Sequence, residues 1–311
     1  MTLPLEVIAS VAHKGGVGKS FTLRLLYQAM ARVLEKNGEY RKILVVDCDG
    51  QCNTTERWTE IEWETSGRLL GKMPLPHPLL EGDRSDISDI WLKNMAPVPY
   101  TTKNPKIDIV PARETAIEDV LRSNLTDADI LKIREWLSTP EIAEEYCAVF
   151  IDTPPSKGPL TQAAIAASTQ CYIPVKYEPH PISGMASMLH FVDNEIVGRG
   201  DDYPHLNFLG IVANDVPTTN AAIYSQYKAA LQAHPSYSPH LLPVELKHLA
   251  AYAETDSTTT LPGDVFDYPS KTHSHVLRSA QEFCENMLRR IPAYESWDLN
   301  FRQGSSFEQS K

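Results

Sequence analysis

Short, continuous apolar runs alternate along this chain with stretches whose apolar positions recur at helical spacing. Val7-Ile8-Ala9-Ser10-Val11-Ala12 is the first run and reads as a short buried strand. Behind it, Leu23, Leu26, Met30, Val33 and Leu34 fall on one helical stripe that stops at Gly38. Ile43-Leu44-Val45-Val46 and Ala148-Val149-Phe150-Ile151 are apolar without alternation, which predicts strands covered on both faces. Strand character also appears at Ile107-Asp108-Ile109-Val110-Pro111, Cys171-Tyr172-Ile173-Pro174-Val175, Phe208-Leu209-Gly210-Ile211-Val212-Ala213 and Leu242-Pro243-Val244. Strand and helix in regular alternation predict an α/β layer protein.

The first strand and helix are joined by His13-Lys14-Gly15-Gly16-Val17-Gly18-Lys19-Ser20, followed by Phe21. Strand, glycine-rich loop and helix are the context that a phosphate-binding loop requires. Gly15, Gly16 and Gly18 let backbone N–H groups approach triphosphate oxygens without Cβ obstruction, at a helix N-terminus whose partial positive charge favours anions. Lys19 would reach the β- and γ-phosphates, and the Ser20 hydroxyl would ligate Mg²⁺. Val17 and Phe21 complete the candidate nucleotide-binding run. Two other apolar runs end in acid: the first continues as Asp47-Cys48-Asp49-Gly50-Gln51-Cys52-Asn53-Thr54, the second as Asp152-Thr153-Pro154-Pro155-Ser156. The C-terminal ends of strands are where open α/β sheets bind ligands. The two prolines stiffen their loop, so that it can move as a unit when a γ-phosphate leaves.

Lys14 beside two glycines resembles the deviant Walker A loop of the ParA/MinD family of ATPases, K-G-G-x-G-K-[ST], and within it the ParA-type partition proteins. The segments ending in Asp49 and Asp152 resemble that family's D-x-D-P-Q-x-N-x-T and D-[TC]-P-P-S motifs, with Gly50 in place of the usual proline. The resemblance implies a doubly wound, mostly parallel sheet with helices on both faces. It implies that Lys14 reaches across an ATP-bound homodimer to the partner's phosphates. Asp47 and Asp152 would approach Mg²⁺ through water, and Asp49 would orient the attacking water. Asn214, at the end of a strand, is the base-recognition candidate or else a turn cap, and Pro243 joins it among the nucleotide-binding candidates.

With 311 residues, 42% of them hydrophobic, the chain is long enough for a single large core. Residues 1–296 read as one ATPase domain with an insertion at about 56–105, and 297–311 as a polar tail. The insertion carries Trp58, Trp63 and Trp91 and the run Pro74-Leu75-Pro76-His77-Pro78, which suggests a folded lid or partner surface. Five scattered cysteines read as reduced thiols, and no apolar stretch is long enough to span a bilayer, so a cytoplasmic location is expected.

The resemblance implies slow ATP hydrolysis stimulated by a ParB-like or other partner, and non-specific DNA binding by the ATP dimer. The net charge of −11 gives DNA binding little support, because Lys271, Arg278, Arg289, Arg290 and Arg302 are interleaved with acids. Two alternatives stay open: positioning of a protein cargo or conjugation assembly, and an ATP-dependent scaffold or filament. A membrane-cycling relative would need a basic amphipathic C-terminal helix, and Trp297-Asp298-Leu299-Asn300-Phe301-Arg302 is too short and too polar for one.

Overall fold

Each apolar run becomes a strand that sends alternate side chains to opposite faces of one sheet. The computed structural model describes residues 4–66, 69–198, 200, 205–218, 222–256 and 264–300. The chain opens with β1 (Glu6–Ser10), α1 (Lys19–Lys36), β2 (Lys42–Asp47) and α2 (Asn53–Trp58). Next come β3 (Ile61–Ser66), β4 (Leu69–Pro74), α3 (Asp89–Leu92), β5 (Tyr100–Thr101) and β6 (Ile107–Val110). Three helices follow, α4 (Glu114–Arg122), α5 (Asp127–Leu137) and α6 (Pro140–Glu145), leading into β7 (Tyr146–Asp152). The second half runs through α7 (Pro159–Ala167), β8 (Gln170–Val175), α8 (Pro179–Gly198), β9 (Asn207–Val216) and α9 (Ala222–Ala233). It closes with β10 (Leu241–Lys247), α10 (Ala250–Asp256) and α11 (Ser270–Leu288).

The main sheet has the order β10-β9-β8-β1-β7-β2-β6-β5. Every pairing in it is parallel except β5 with β6. This is the doubly wound arrangement with helices on both faces. Ile8, Ile43, Val45 and Phe150 join one core with Leu23 of α1 and Phe283 of α11. Val7, Ala9, Leu44, Val46, Val149 and Ile151 join the opposite core with Ile133 of α5, Ala163 of α7 and Met188 of α8. Because β1, β2 and β7 are buried on both faces, their sequences show no polar alternation. Each such side chain contributes about 1.5–3 kcal/mol by leaving water, which makes these three strands a rigid base for the loops above them.

The insertion is folded. β3 and β4 form a separate antiparallel hairpin, and β5 adds an edge strand to the main sheet. Trp58 packs against the α1 side of the core and donates from Nε1 to Tyr27 Oη at 2.6 Å, while Trp91 Nε1 donates to the Asp129 carbonyl at 2.9 Å. Trp63 stays 60% exposed on the hairpin.

Order extends past residue 296 into the segment read as tail. Leu299 is 1% exposed within the α1 core. Asp298 N–H donates to Asn37 Oδ1 and Asn37 Nδ2 donates back to the Asp298 carbonyl, both at 3.1 Å. The buried Leu299, with Trp297 packed against the same core, explains why a short polar-looking segment docks. Residues 301–311, the rest of that tail, lie outside the described residues. Leu299→Ala should lower the free energy of unfolding by about 2–4 kcal/mol in urea titrations, because it leaves a cavity against α1; an unchanged midpoint would show that the segment adds nothing to the core.

Candidate nucleotide site

Strand register sets the site. Asp47 at the end of β2 stands level with Asp152 at the end of β7, and Asp152 stands level with Ser10 at the end of β1. Two carboxylates therefore leave the sheet side by side, next to the loop that follows β1. In that loop Gly16 and Gly18 have φ of 75° and 92°, left-handed values that glycine adopts without penalty. A Cβ on Gly18 would lie 2.0 Å from Asn214 Nδ2. That amide donates to the Val17 carbonyl at 2.9 Å, so β9 braces the loop and leaves residue 18 no room for a side chain. No side chain caps α1. Its first-turn N–H groups and the helix dipole form an anion-binding end.

The acids are held in fixed directions. Asp47 Oδ1 accepts from Asp49 N–H at 3.0 Å, and Asp47 Oδ2 accepts from the Thr55 N–H and hydroxyl at 2.8 and 2.7 Å. Asp152 Oδ2 accepts from Thr54 Oγ1 at 2.8 Å. Asp49 Oδ1 accepts from Gln51 N–H at 3.0 Å. Both threonines belong to α2, so one short helix orients both buried carboxylates.

Burial and mutual repulsion set the electrostatics. Asp47 and Asp152 are fully buried, and Lys19 is 6% exposed. Burial, then the Asp152 charge, pushes Asp47 up to about 8. Asp152 is raised by burial, against the pull of the Ser20 hydroxyl, Lys19 and Thr54. Asp49 is raised by burial, against the Gln51 N–H and Lys19. Burial lowers Lys19, while Asp152 and Asp49 hold its proton on. One ammonium thus faces three carboxylates that a further cation would favour in their charged forms.

The hydroxyl of Ser20 and the carboxylates of Asp47 and Asp152 are hard oxygen donors of the kind Mg²⁺ takes. Among the described residues, no group of three His, Cys, Asp or Glu side chains could hold a metal alone. Mg²⁺ keeps several waters and binds one or two carboxylates together with substrate phosphate, so the donor set fits it.

A cavity of about 650 Å³ opens over this end of the sheet. Gly15, Gly16, Gly18, Lys19, Ser20 and Phe21 line it from the β1 loop and the start of α1, Asp49, Gln51, Asn53 and Thr54 from beyond β2, and Pro155 from beyond β7. The sequence reading missed four lining residues: Arg24, Tyr27, Glu56 and Arg57. Arg24 and Tyr27 follow Ser20 at helical spacing, a signal that was available. Arg24 donates from Nη1 and Nη2 to the carbonyl and hydroxyl of Thr255 at 2.8 and 3.1 Å, tying α1 to α10.

Other candidates lie outside the lining. Val17 is buried behind the loop, and Asp47 and Asp152 stand beneath the cavity floor. Asn214 is buried with its amide on Val17. Pro243 is exposed on β10, a sheet edge that tolerates a missing N–H donor, at a register irregularity. Lys14 is half-buried and its stem lies over Gly184 of α8: a Cβ there would approach Lys14 Cγ to 3.3 Å.

Comparison with known proteins agrees with this geometry. A family model described as an AAA domain matches residues 5–198. The chromosome partitioning protein ParA of Caulobacter vibrioides is 26% identical over 212 residues, which cover 67% of this chain and 69% of ParA. The solved structure of the McdA–ATP complex from Cyanothece superposes with a TM-score of 0.67 at 14% identity, covering 91% of this chain and 96% of McdA. A putative plasmid partition protein from Borrelia burgdorferi bound to AMPPNP gives 0.64 at 16% identity, covering 93% and 100%. The loop at Lys14–Ser20, the acids level at the ends of β2 and β7, and these likenesses together place the chain in the AAA-domain family, among the ParA-type ATPases with a deviant Walker A loop.

Proposed function

We propose that this chain is an ATP-dependent dimerising switch of partition type, which hydrolyses ATP slowly until a partner protein orders its loops. The observation that carries this reading is the placement of Lys14. Its stem rests on α8, and it lines no part of its own subunit's cavity, although it belongs to the same loop as Lys19. A lysine beside a phosphate loop and outside its own site is suited to a second subunit's phosphates.

Within one subunit, the glycine-loop N–H groups and Lys19 would bind the phosphates, and Ser20, Asp47 and Asp152 would hold Mg²⁺, directly or through water. A Mg²⁺ held there would supply positive charge against that of the phosphates. Asp49 lines the cavity with its carboxylate fixed by the Gln51 N–H and orients the attacking water. Pro155 at the cavity edge lets the loop after β7 follow the γ-phosphate. Mg-nucleotide use is supported by the bound ligands of a fold relative, a cobyrinic acid a,c-diamide synthase from Mycobacterium smegmatis with an ATP analogue and magnesium. Asn214 and Pro243 remain the proposed base-side contacts; reaching a base requires Asn214 to leave Val17.

The name of the ParA relative supports DNA as cargo. The net charge of −11 favours a protein cargo instead. ATP-dependent, salt-sensitive retention of random-sequence DNA would decide for DNA, and its absence in a sample shown to be dimeric would decide for protein. No helix among the described residues is long and apolar enough to cross a membrane.

Two variants test the switch. Lys14→Ala should remain monomeric by light scattering with ATP and Mg²⁺ under conditions where the wild type dimerises; a dimer in that variant would remove Lys14 from the interface. Asp49→Ala should bind ATP normally and turn it over about 10²-fold more slowly; undiminished turnover would take the water-orienting role from Asp49.

A further inference from the structure

The β3–β4 hairpin reaches the loop that carries Asp49 through one side chain. Lys72 lies on β4 opposite Trp63 of β3. Its Nζ pairs with Glu56 Oε2 at 2.9 Å and donates to the Gln51 carbonyl at 3.3 Å. Gln51 N–H in turn donates to Asp49 Oδ1 at 3.0 Å. Two hydrogen bonds and one residue therefore separate the hairpin from the carboxylate assigned to the attacking water.

The hairpin is seated firmly enough to serve as an anchor. Lys72 N–H donates to Glu114 Oε2 at 3.0 Å, and Thr115 hydrogen-bonds to Glu64 of β3. A Cβ on Gly71 would lie 2.7 Å from Thr115 Cγ2, so β4 runs against the start of α4 at a distance only glycine allows. The same helix also packs on the Asp49 loop, where a Cβ on Gly50 would be 3.2 Å from Ile117 Cγ2. α4 thus backs both the hairpin and the loop, and Lys72 links the two. The residues that it grips, Gln51 and Glu56, both line the cavity.

We propose that Lys72 is a positioning residue for hydrolysis, fixing the backbone from Asp49 to Asn53 so that the Asp49 carboxylate keeps its direction into the cavity. The proposal rests on the ATPase reading above. Glycine at position 50 gives the loop no internal stiffener, and the Lys72 ammonium supplies an external one. A long side chain reaching in from the inserted hairpin can do this without occupying the site.

The test compares Lys72→Met and Lys72→Arg with Lys93→Met, which removes an ion pair to Asp89 elsewhere in the same insertion. Steady-state ATP hydrolysis and amide hydrogen exchange of the segment 49–55 are both read. In Lys72→Met, kcat should fall about tenfold while KM for ATP stays within about twofold, and exchange in 49–55 should accelerate. Lys72→Arg should recover most of kcat, and Lys93→Met should match the wild type in both readouts. An unchanged kcat, unchanged exchange in 49–55, a loss carried mainly by KM, or no recovery with arginine would each overturn the proposal. A wild type without any turnover would defeat the ATPase reading alone, and the exchange comparison would still decide whether Lys72 holds the loop.

Discussion

Three carboxylates and one ammonium are crowded together at and beneath the floor of one cavity. Asp47 and Asp152 are fully buried, Asp49 is nearly so, and the buried ammonium of Lys19 interacts with Asp152 and Asp49. Burial disfavours every charge in this group, and the acids repel each other across adjacent strands. An arrangement of this kind is costly as a stability device, since buried ion groups rarely offset their own desolvation. It is well matched to a ligand that brings positive charge to the acids and negative charge to the loop, as a metal-bound triphosphate does.

The rest of the fold keeps that group aligned. β1, β7 and β2 are apolar on both faces, so their register is fixed by two cores at once and their ends stay level. The chain leaves β1 through α1 on one face and leaves β7 through α7 on the other, which places the cavity where the winding reverses. α2 orients both buried acids through Thr54 and Thr55, and the Thr55 hydroxyl also accepts from Ala112 N–H at 2.8 Å, linking the site to the segment after β6. On the other flank, Asn214 ties β9 to the glycine loop, and Arg24 ties α1 to α10. Changes at the nucleotide therefore have direct contacts to both halves of the sheet.

Much of this was legible in the chain because local chemistry decides it. A glycine loop between an apolar run and a helical stripe has few other uses, and the acids after two continuous apolar runs lie at strand ends as expected. Less was legible where tertiary contacts decide. Ile61-Glu62-Trp63-Glu64 alternates as a strand should, yet the prolines and acids around it obscured the hairpin. The capping box of Thr126 and Asp129 marks the start of α5, one of three helices between β6 and β7 that the apolar pattern alone did not reveal. Arg24 and Lys72 gained roles from partners more than two hundred and about twenty residues away, Thr255 and Gln51, and no spacing rule encodes such contacts. The docking of residues 297–300 depends on Leu299 and Trp297 finding the α1 core.

The central claim is that the buried acids are poised for a metal-bound nucleotide. Calorimetric titration with ATP, in the presence of Mg²⁺ or of a chelator and in buffers of different ionisation enthalpy, tests it most directly. Asp47, pushed up to about 8, holds a proton near neutral pH and gives it up when a cation arrives, so binding with Mg²⁺ should be tighter and should release protons, with less release in Asp47→Asn. Equal affinity with and without Mg²⁺, or proton release identical in wild type and Asp47→Asn, would contradict the account.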